Sequence, residues 1–171
     1  MQKIIAIATL IISLSVINWS IYKKEALLEN GKVVFLKLAP VDPRSLMQGD
    51  YMALRFEMAN QISADLNENE EVDSSKSVDG LVYVRLDENG IASFVRIAAS
   101  RKNKDETKEE TTVLQFRLRE GRVKFATNAY FFEEGSGEKL EAAEYGKFRV
   151  NHDGELLLVT LHDKQLKELG R

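Results

Sequence analysis

The chain has 171 residues, of which 44% are hydrophobic and 30% are charged. This composition is typical of a folded domain and excludes a chain that is disordered throughout. The formal net charge is −3, and no cluster of lysines and arginines is long enough to predict a nucleic-acid binder. The sequence contains no cysteine, which excludes disulfides, thiolate metal sites and cysteine nucleophiles.

The N-terminal segment is apolar and carries no charge between residues 4 and 22. A helix that crosses a bilayer needs about 20 such residues, and Trp19 and Tyr22 lie where interfacial aromatic side chains lie in membrane proteins. A cleaved signal peptide needs a small-x-small cleavage site, whereas residues 18–20 carry a bulky tryptophan in the middle. We therefore predict an uncleaved signal anchor over residues 1–24, with a cleaved signal peptide and a buried core helix as the alternatives.

Runs of alternating or continuous apolar residues, bounded by turn residues, predict the strands of the remaining chain. These runs are residues 32–38, 51–58, 80–86, 91–98, 111–118, 122–127, 147–150 and 155–161. Turn-forming residues at 87–90, 119–121 and 151–154 predict hairpins between consecutive strands. Residues 129–132 are expected to extend the second arm of the hairpin at 119–121. Repeated hairpins indicate an antiparallel sheet.

Two short helices are predicted from helix propensity. They cover residues 59–66 and residues 138–144, and Gly146 is expected to close the second helix in a left-handed conformation. The anchor helix is expected to continue to Asn30 and to end at Gly31. Polar and charged stretches predict two exposed loops and a polar tail. These stretches are residues 67–77, 100–110 and 164–171.

One stretch, residues 40–56, combines turn residues with the start of a strand and reads P-V-D-P-R-S-L-M-Q-G-D-Y-M-A-L-R-F. Two prolines frame an acidic turn, and Gly49 permits a positive φ or a close backbone approach just before the strand. After Gly49 the residues alternate, which predicts a half-buried strand. The apolar residues of one parity are Met52, Leu54, Phe56 and Met58.

Residues 49–54 contain the pattern G-D-Y-x-x-L. This pattern resembles the signature of the GDYXXLXY proteins, a family of bacterial membrane-anchored proteins of unknown function. Phe56 stands at the final tyrosine position of that signature, so one aromatic residue replaces another. A looser similarity to the family runs through E-G-S-G and A-A-E-Y-G to the last strand. The resemblance thus covers most of the chain after the anchor.

The resemblance also bears on placement, because lysines on both sides of the apolar segment leave the orientation nearly undetermined by charge. The short N-terminal tail and the family likeness favour an anchor in the bacterial inner membrane, with a periplasmic domain over residues 30–163. We predict an α+β fold, mainly antiparallel β in a sandwich or partly open barrel. Two short helices belong to this domain, which follows one N-terminal transmembrane helix.

Asp50 has two interpretations. Its carboxylate either caps backbone amides of the preceding turn, or it is exposed and binds a ligand or partner together with Asp42 and Arg44. The candidate binding residues of the motif are Asp42, Arg44, Gly49, Asp50, Tyr51 and Leu54. No metal site is predicted, because His152 and His162 lie at opposite ends of a predicted strand, about 25 Å apart. No cofactor and no catalytic residue is predicted either.

The leading hypothesis is a non-enzymatic envelope domain that docks a membrane or envelope partner through residues 40–56. Besides the lipid bilayer, the expected partner is an integral membrane protein, and no nucleic acid is expected. The alternative is an envelope enzyme or a small-ligand-binding protein that uses Asp42, Arg44, Asp50 and Tyr51. A buried Asp50 in a concave pocket favours the alternative, whereas a protruding turn near the membrane end favours docking.

Overall fold

The computed structural model of the chain describes residues 2–39, 47–48, 51–68, 77–98, 111–127, 129–133 and 137–170. Within these residues the helices are α1 (Gln2–Asn30), α2 (Glu57–Glu68) and α3 (Gly137–Leu140). The strands are, in chain order, β1 (Lys32–Lys37), β2 (Met47–Gln48), β3 (Tyr51–Ala53), β4 (Val78–Leu86), β5 (Ala92–Ala98), β6 (Thr111–Arg119), β7 (Arg122–Lys124), β8 (Ala129–Phe131), β9 (Tyr145–Val150), β10 (Leu156–His162) and β11 (Glu168–Leu169).

Helix α1 projects from the rest of the chain with its apolar surface exposed. It is the one helix in the described part of the chain that is long and apolar enough to cross a membrane, with a mean hydropathy of 2.2 over its most apolar window. The helix ends as predicted, because the Gly31 amide donates to the Leu27 carbonyl at 2.9 Å. An added Cβ on Gly31 would lie 2.5 Å from the same oxygen, so only glycine fits at this position.

The strands form three sheets in the described part of the chain, and all paired strands are antiparallel. The strand orders are β1-β9-β10-β11, β2-β3-β8 and β5-β4-β6-β7. Single bridges join the sheets, since the Phe35 amide donates to the Gly90 carbonyl at 2.9 Å and Leu38 bridges Phe56. The sheets thus curve around a common centre.

One hydrophobic core occupies that centre. Buried residues from β1, β3, β4, β6, β7, β9 and β10 and from α2 and α3 form a single cluster. Phe56 stands in the cluster with its ring edge-on to Phe125 at 5.8 Å and inclined to Phe148 at 5.5 Å between centroids. The antiparallel sheets, the two short helices and the N-terminal apolar helix confirm the predicted fold class.

The predicted hairpins are confirmed. Asp87 begins the first turn, and its carboxylate accepts hydrogen bonds from the amides of Asn89 and Ile91 at 2.9 and 2.8 Å. In the second turn, Glu120 and Gly121 have φ of 53° and 70°, the pair of positive values that a two-residue hairpin needs. The third hairpin joins β9 to β10 through residues 151–154.

The strand predicted over residues 51–58 is partly wrong. Regular pairing ends at Ala53, and α2 begins at Glu57, where the Ala59 amide donates to the Phe56 carbonyl at 3.0 Å. The predicted alternation nevertheless matches burial, since all four apolar residues of the inward parity are buried. They are Met52, Leu54, Phe56 and Met58. Met58 stays buried although it lies in α2, because it shares the core-facing side of that helix with Ile62, four residues later.

The prediction that residues 129–132 extend the hairpin at 119–121 is wrong. Strand β8 pairs with β3 in a different sheet. Thr127 separates the two strands, because its hydroxyl donates to the Ala129 carbonyl at 2.9 Å and accepts from the Ala129 amide at 3.2 Å. Such local side-chain bonds compete with a continuous strand ladder.

The second helix is shorter than predicted, and Gly146 does not close it. Helix α3 ends at Leu140, and Gly146 lies in β9 opposite Leu36 of β1. A Cβ on Gly146 would lie 3.1 Å from the Phe148 ring and 3.2 Å from the Phe56 ring, so its lack of a side chain serves packing. Pairing with β1 therefore overrides the helix propensity of residues 138–144.

The C-terminal segment folds back on the sheet. Strand β11 pairs with the end of β10, where Leu161 faces Leu169 and His162 faces Glu168. The tail that is polar in composition therefore contributes a strand, and Leu169 packs against the core. The loop predicted over residues 100–110, and most of that predicted over 67–77, lie outside the described residues.

Candidate functional site

Two of the six candidate binding residues, Tyr51 and Leu54, lie within the described part of the chain. The other four lie outside it: Asp42, Arg44, Gly49 and Asp50. The turn predicted over residues 40–46 also lies outside, so both interpretations of Asp50 stay predictions. The described part of the motif is strand β3 and the residues that follow it.

Strand β3 is the middle strand of its sheet. Tyr51 pairs with Gln48 of β2 on one side and with Phe131 of β8 on the other. The antiparallel register places Tyr51 opposite Phe131, so the fold brings together two residues that are 80 positions apart in the chain. The motif is therefore held by a strand from the second half of the chain.

An aromatic pair lies on this sheet. The rings of Tyr51 and Phe131 are tilted by 44° with centroids 5.9 Å apart, within the range for a favourable aromatic contact. Tyr51 is half-buried, whereas Phe131 is 75% exposed. Protein interfaces are enriched in exposed aromatic side chains such as these, because they bury much surface area with little loss of conformational entropy.

Leu54 faces the opposite way. Its side chain is 3% exposed and belongs to the core cluster, together with Met52 and Phe56. Its main role is therefore packing inside the domain. The described positions of the motif thus divide into a surface residue, Tyr51, and a packing residue, Leu54.

A cleft of 460 Å³ opens beside β3. One wall is the chain that leaves β3 and enters α2, and the other is the turn between β6 and β7. The lining residues are 53–56, 59–60, 63 and 121–124. The cleft begins at Ala53, two positions after Tyr51, so it adjoins the aromatic pair along the chain.

The cleft is cationic. Arg55, Arg122 and Lys124 line it, and no aspartate or glutamate is among the described residues of its wall. Asn60 and Ser63 on α2 add hydrogen-bonding groups, and the Ser63 hydroxyl donates to the Ala59 carbonyl at 2.9 Å. Guanidinium and ammonium groups offer donors only, so an anionic group is the ligand that this cleft favours.

An ion pair fixes the entry to α2. Lys37 at the end of β1 lies 3.0 Å from the Glu57 carboxylate, the first residue of α2. The hydrogen bond to Glu57 and the charge of Glu57 raise the pKa of Lys37 above its usual value. A carboxylate in the first turn of a helix is also favoured by the helix dipole. The pair therefore links the start of α2 to the end of β1, at a position where both side chains are about half exposed.

The two histidines lie apart, as predicted. His152 is exposed in the β9–β10 turn, whereas His162 at the end of β10 is 5% exposed and edge-on to Phe35. The His162 ring bonds to the Thr160 hydroxyl at 2.9 Å and the Leu166 carbonyl at 2.8 Å, so it is a satisfied core histidine. The described residues hold no group of three or more His, Asp or Glu side chains arranged to bind a metal.

Sequence reasoning missed Phe131 and the cationic cleft. The cleft joins Arg55 to Arg122 and Lys124, which are far apart in the chain, and nothing local to either segment indicates their meeting. The run Ala-Tyr-Phe-Phe at residues 129–132 does not indicate by itself which side faces outward. In the structure Tyr130 and Phe132 pack against the core, which leaves Phe131 on the outer side.

Helix α1 contacts the sheets at its C-terminal end. Leu27 is buried against the domain, Lys24 pairs with Glu155, and the Arg149 guanidinium donates to the Gly31 carbonyl at 2.8 Å. Lys32 then donates to the Thr112 hydroxyl at 3.0 Å. These contacts, from the last two turns of the helix and the two residues that follow it, set the domain directly against the end of the apolar segment.

Comparison with protein families identifies a match that spans most of the chain. The family model described as GDYXXLXY protein matches residues 13–161. Comparison with curated proteins and with solved structures gives no match. The matched residues include the second half of α1, strand β3, both walls of the cationic cleft and the aromatic pair.

Proposed function

This chain belongs to the GDYXXLXY family, and on that basis we propose that it is a bacterial envelope protein, anchored by α1 in the inner membrane with its domain in the periplasm. The observation that supports anchoring is the exposed apolar surface of α1, which is unfavourable in water and favourable in a bilayer. We propose residues 1–24 as the anchor. We place the domain from residue 30 through β11, beyond residue 163, because β11 pairs with β10.

We propose that the domain is non-enzymatic and docks an envelope partner through the face around β3. The exposed ring of Phe131 beside Tyr51 carries this proposal, because large exposed aromatic side chains mark interaction surfaces. The neighbouring cations Arg55 and Arg122 favour a partner whose surface is acidic around an apolar patch. An integral membrane protein with such a surface outside the bilayer meets these requirements.

The distance between the end of α1 and the β3 face is compatible with a partner that docks outside the bilayer. Strand β1 begins at Lys32, next to the helix end, and the residue after it, Leu38, bridges Phe56. At about 3.3 Å per residue, the path is about 20 Å long. A partner can therefore occupy the β3 face while α1 remains in the bilayer.

A second candidate function is the binding of a small anion in the cationic cleft. The three cations around 460 Å³, with no carboxylate among the described lining residues, favour this alternative. A separate proposal is an envelope enzyme or a small-ligand-binding protein that uses Asp42, Arg44, Asp50 and Tyr51. It needs Asp50 inside a concave site, and that residue is not described.

A site-specific photocrosslinker distinguishes docking from small-ligand binding. The crosslinking amino acid replaces Phe131 in the full chain, and Lys167, exposed near the last strand, carries it in the control. Docking predicts one discrete adduct from position 131 in cell membranes, weakened by Arg55→Glu and absent from position 167. The same adducts from both positions, or none from 131, contradict docking.

A further inference from the structure

The outward face of the β6–β7 hairpin is basic. Arg117 lies directly opposite Lys124, and Arg119 lies directly opposite Arg122. Side chains that face each other in an antiparallel pair are close neighbours, and like charges in such positions are destabilising. The hairpin therefore holds two repulsive pairs side by side, and a negative charge near either pair would relieve its repulsion.

The two pairs differ in their compensation. Arg119 has a carboxylate partner, because its guanidinium donates to Asp79 at 2.7 Å. Arg117 donates to the backbone carbonyl of Ala126 at 3.1 Å, which leaves further N–H donors of its guanidinium for other acceptors. Within the described ranges, no carboxylate pairs with Arg117 or Lys124. The uncompensated pair is thus Arg117–Lys124.

A third cation comes from the anchor helix. Lys24 lines a cleft of 280 Å³ together with Arg117, Lys124 and Gln115. Glu155 is the acidic residue of its described wall, and its carboxylate accepts from Lys24 and from the Asn151 amide at 3.2 Å. One carboxylate therefore faces three cations, which leaves the cleft with two positive charges in excess.

With α1 inserted in a bilayer as proposed, the cleft would lie at the depth of the lipid phosphates. Lys24 is two residues past Tyr22, where the apolar segment ends, so it stands about 3 Å further along the helix. The headgroup layer is about 5–7 Å thick on each side of the hydrocarbon core. Because Arg117 and Lys124 line the same cleft as Lys24, all three cations lie within reach of that layer.

We propose that this cleft binds the phosphate of an acidic phospholipid headgroup, held between Arg117 and Lys124 with Lys24 at its edge. The phosphate oxygens accept hydrogen bonds from the guanidinium and ammonium groups, and the charge relieves the repulsion across β6 and β7. The proposal rests on the proposed insertion of α1 in a membrane. It does not depend on docking at the β3 face.

Trp19 provides the probe for a test. It is the sole tryptophan of the chain and lies five residues before Lys24, about 7 Å deeper along the helix. The full chain is placed in phosphatidylcholine vesicles that contain a minor fraction of phosphatidylglycerol with brominated acyl chains, or the same fraction of brominated phosphatidylcholine. Bromine quenches nearby tryptophan, so quenching reports which lipid adjoins α1. We expect stronger quenching by the acidic lipid.

The double variant Arg117→Gln/Lys124→Gln removes two cations near acidic headgroups, and it is expected to lower the preference for the acidic lipid by about fivefold for each cation removed. The matched control Lys167→Gln removes a charge remote from α1 and is expected to keep the preference. Circular dichroism checks that the double variant folds, and Arg117→Gln alone replaces it if it does not. Equal quenching by the two lipids, or a preference that survives the substitutions, overturns the proposal.

Two additional measurements separate the possible failures. If inorganic phosphate raises the melting temperature of the detergent-solubilised chain while the vesicles show no lipid preference, the cleft takes free phosphate and the lipid assignment is wrong. Carbonate extraction of the same vesicles tests anchoring. Retained protein without a lipid preference contradicts the lipid site alone, whereas released protein contradicts the anchoring and the lipid site together.

Discussion

Two phenylalanines near the motif lie in opposite environments: Phe56, at its end, packs in the core, and Phe131, on the neighbouring strand β8, lies on the surface. Phe56 is 3% exposed and Phe131 is 75% exposed, so replacing each by alanine removes the same atoms from opposite environments. We expect Phe56→Ala to destabilise the domain strongly and Phe131→Ala to leave its stability nearly unchanged.

The magnitude follows from what each ring contacts. Burial of a phenylalanine side chain contributes about 1.5–3 kcal/mol, and each aromatic pair adds about 0.5–1.5 kcal/mol. Phe56 makes two such pairs, with Phe125 and Phe148. Phe56→Ala should therefore cost about 3–5 kcal/mol, the range for a buried aromatic residue with its cavity. Phe131 makes a single tilted contact with Tyr51, so its loss should cost about 1 kcal/mol or less.

Urea unfolding of the full chain in detergent, followed by circular dichroism, measures both values. The free energy of unfolding is compared at equal detergent concentration, with Phe131→Ala as the control for the loss of a phenyl ring. If Phe56→Ala unfolds at the same urea concentration as the wild type, the assignment of Phe56 to the core is wrong. If Phe131→Ala is destabilised as much as Phe56→Ala, the ring of Phe131 is buried and the docking face does not exist as described.

The remaining predictions concern a turn, a buried histidine and an ion pair. Gly154 and Gly121 have φ of 83° and 70°, but only at Gly154 would an added Cβ meet a carbonyl oxygen, at 2.9 Å. In thermal melts Gly154→Ala should therefore lower stability more than Gly121→Ala, whose cost is about 1–2 kcal/mol. His162→Leu should cost about 1–3 kcal/mol in urea melts, because it leaves a part-buried hydroxyl and a part-buried carbonyl without their partner. The raised pKa of Lys37 means that its stabilising pair with Glu57 is present at neutral pH and is lost as the pH rises through that raised value. Lys37→Gln should therefore lower the free energy of unfolding at pH 7 and abolish the loss of stability at alkaline pH. If the variant loses stability at alkaline pH as the wild type does, the pairing is wrong.

The features that could be predicted from the sequence depend on local rules. The hairpin at 87–90 follows from turn residues that sit next to the strands they join. The burial of Met52, Leu54 and Phe56 follows from alternation alone, and it holds even where the chain leaves the regular strand. The end of α1 at Gly31 follows from composition in the same way.

The features that could not be predicted depend on distant partners. The pairing of β8 with β3 is set by register across some 80 residues, and no local pattern encodes which sheet a short strand joins. Gly146 follows a segment of high helix propensity, as a glycine at a helix end does, but the ring of the distant Phe56 and that of Phe148 in the same strand crowd the space where its side chain would be. The cleft beside β3 combines Arg55 with Arg122 and Lys124, so its charge appears only in the fold.

Labelling of introduced cysteines tests the proposed anchoring by α1, because the chain has no cysteine of its own. Single variants Gln2→Cys and Lys167→Cys are exposed to a membrane-impermeant maleimide in intact spheroplasts. We expect labelling of Lys167→Cys from outside, labelling of Gln2→Cys only after the membrane is opened, and an intact chain of 19.4 kDa for both. Labelling of Gln2→Cys from outside, or a Lys167→Cys product that has lost the residues of α1, contradicts this expectation.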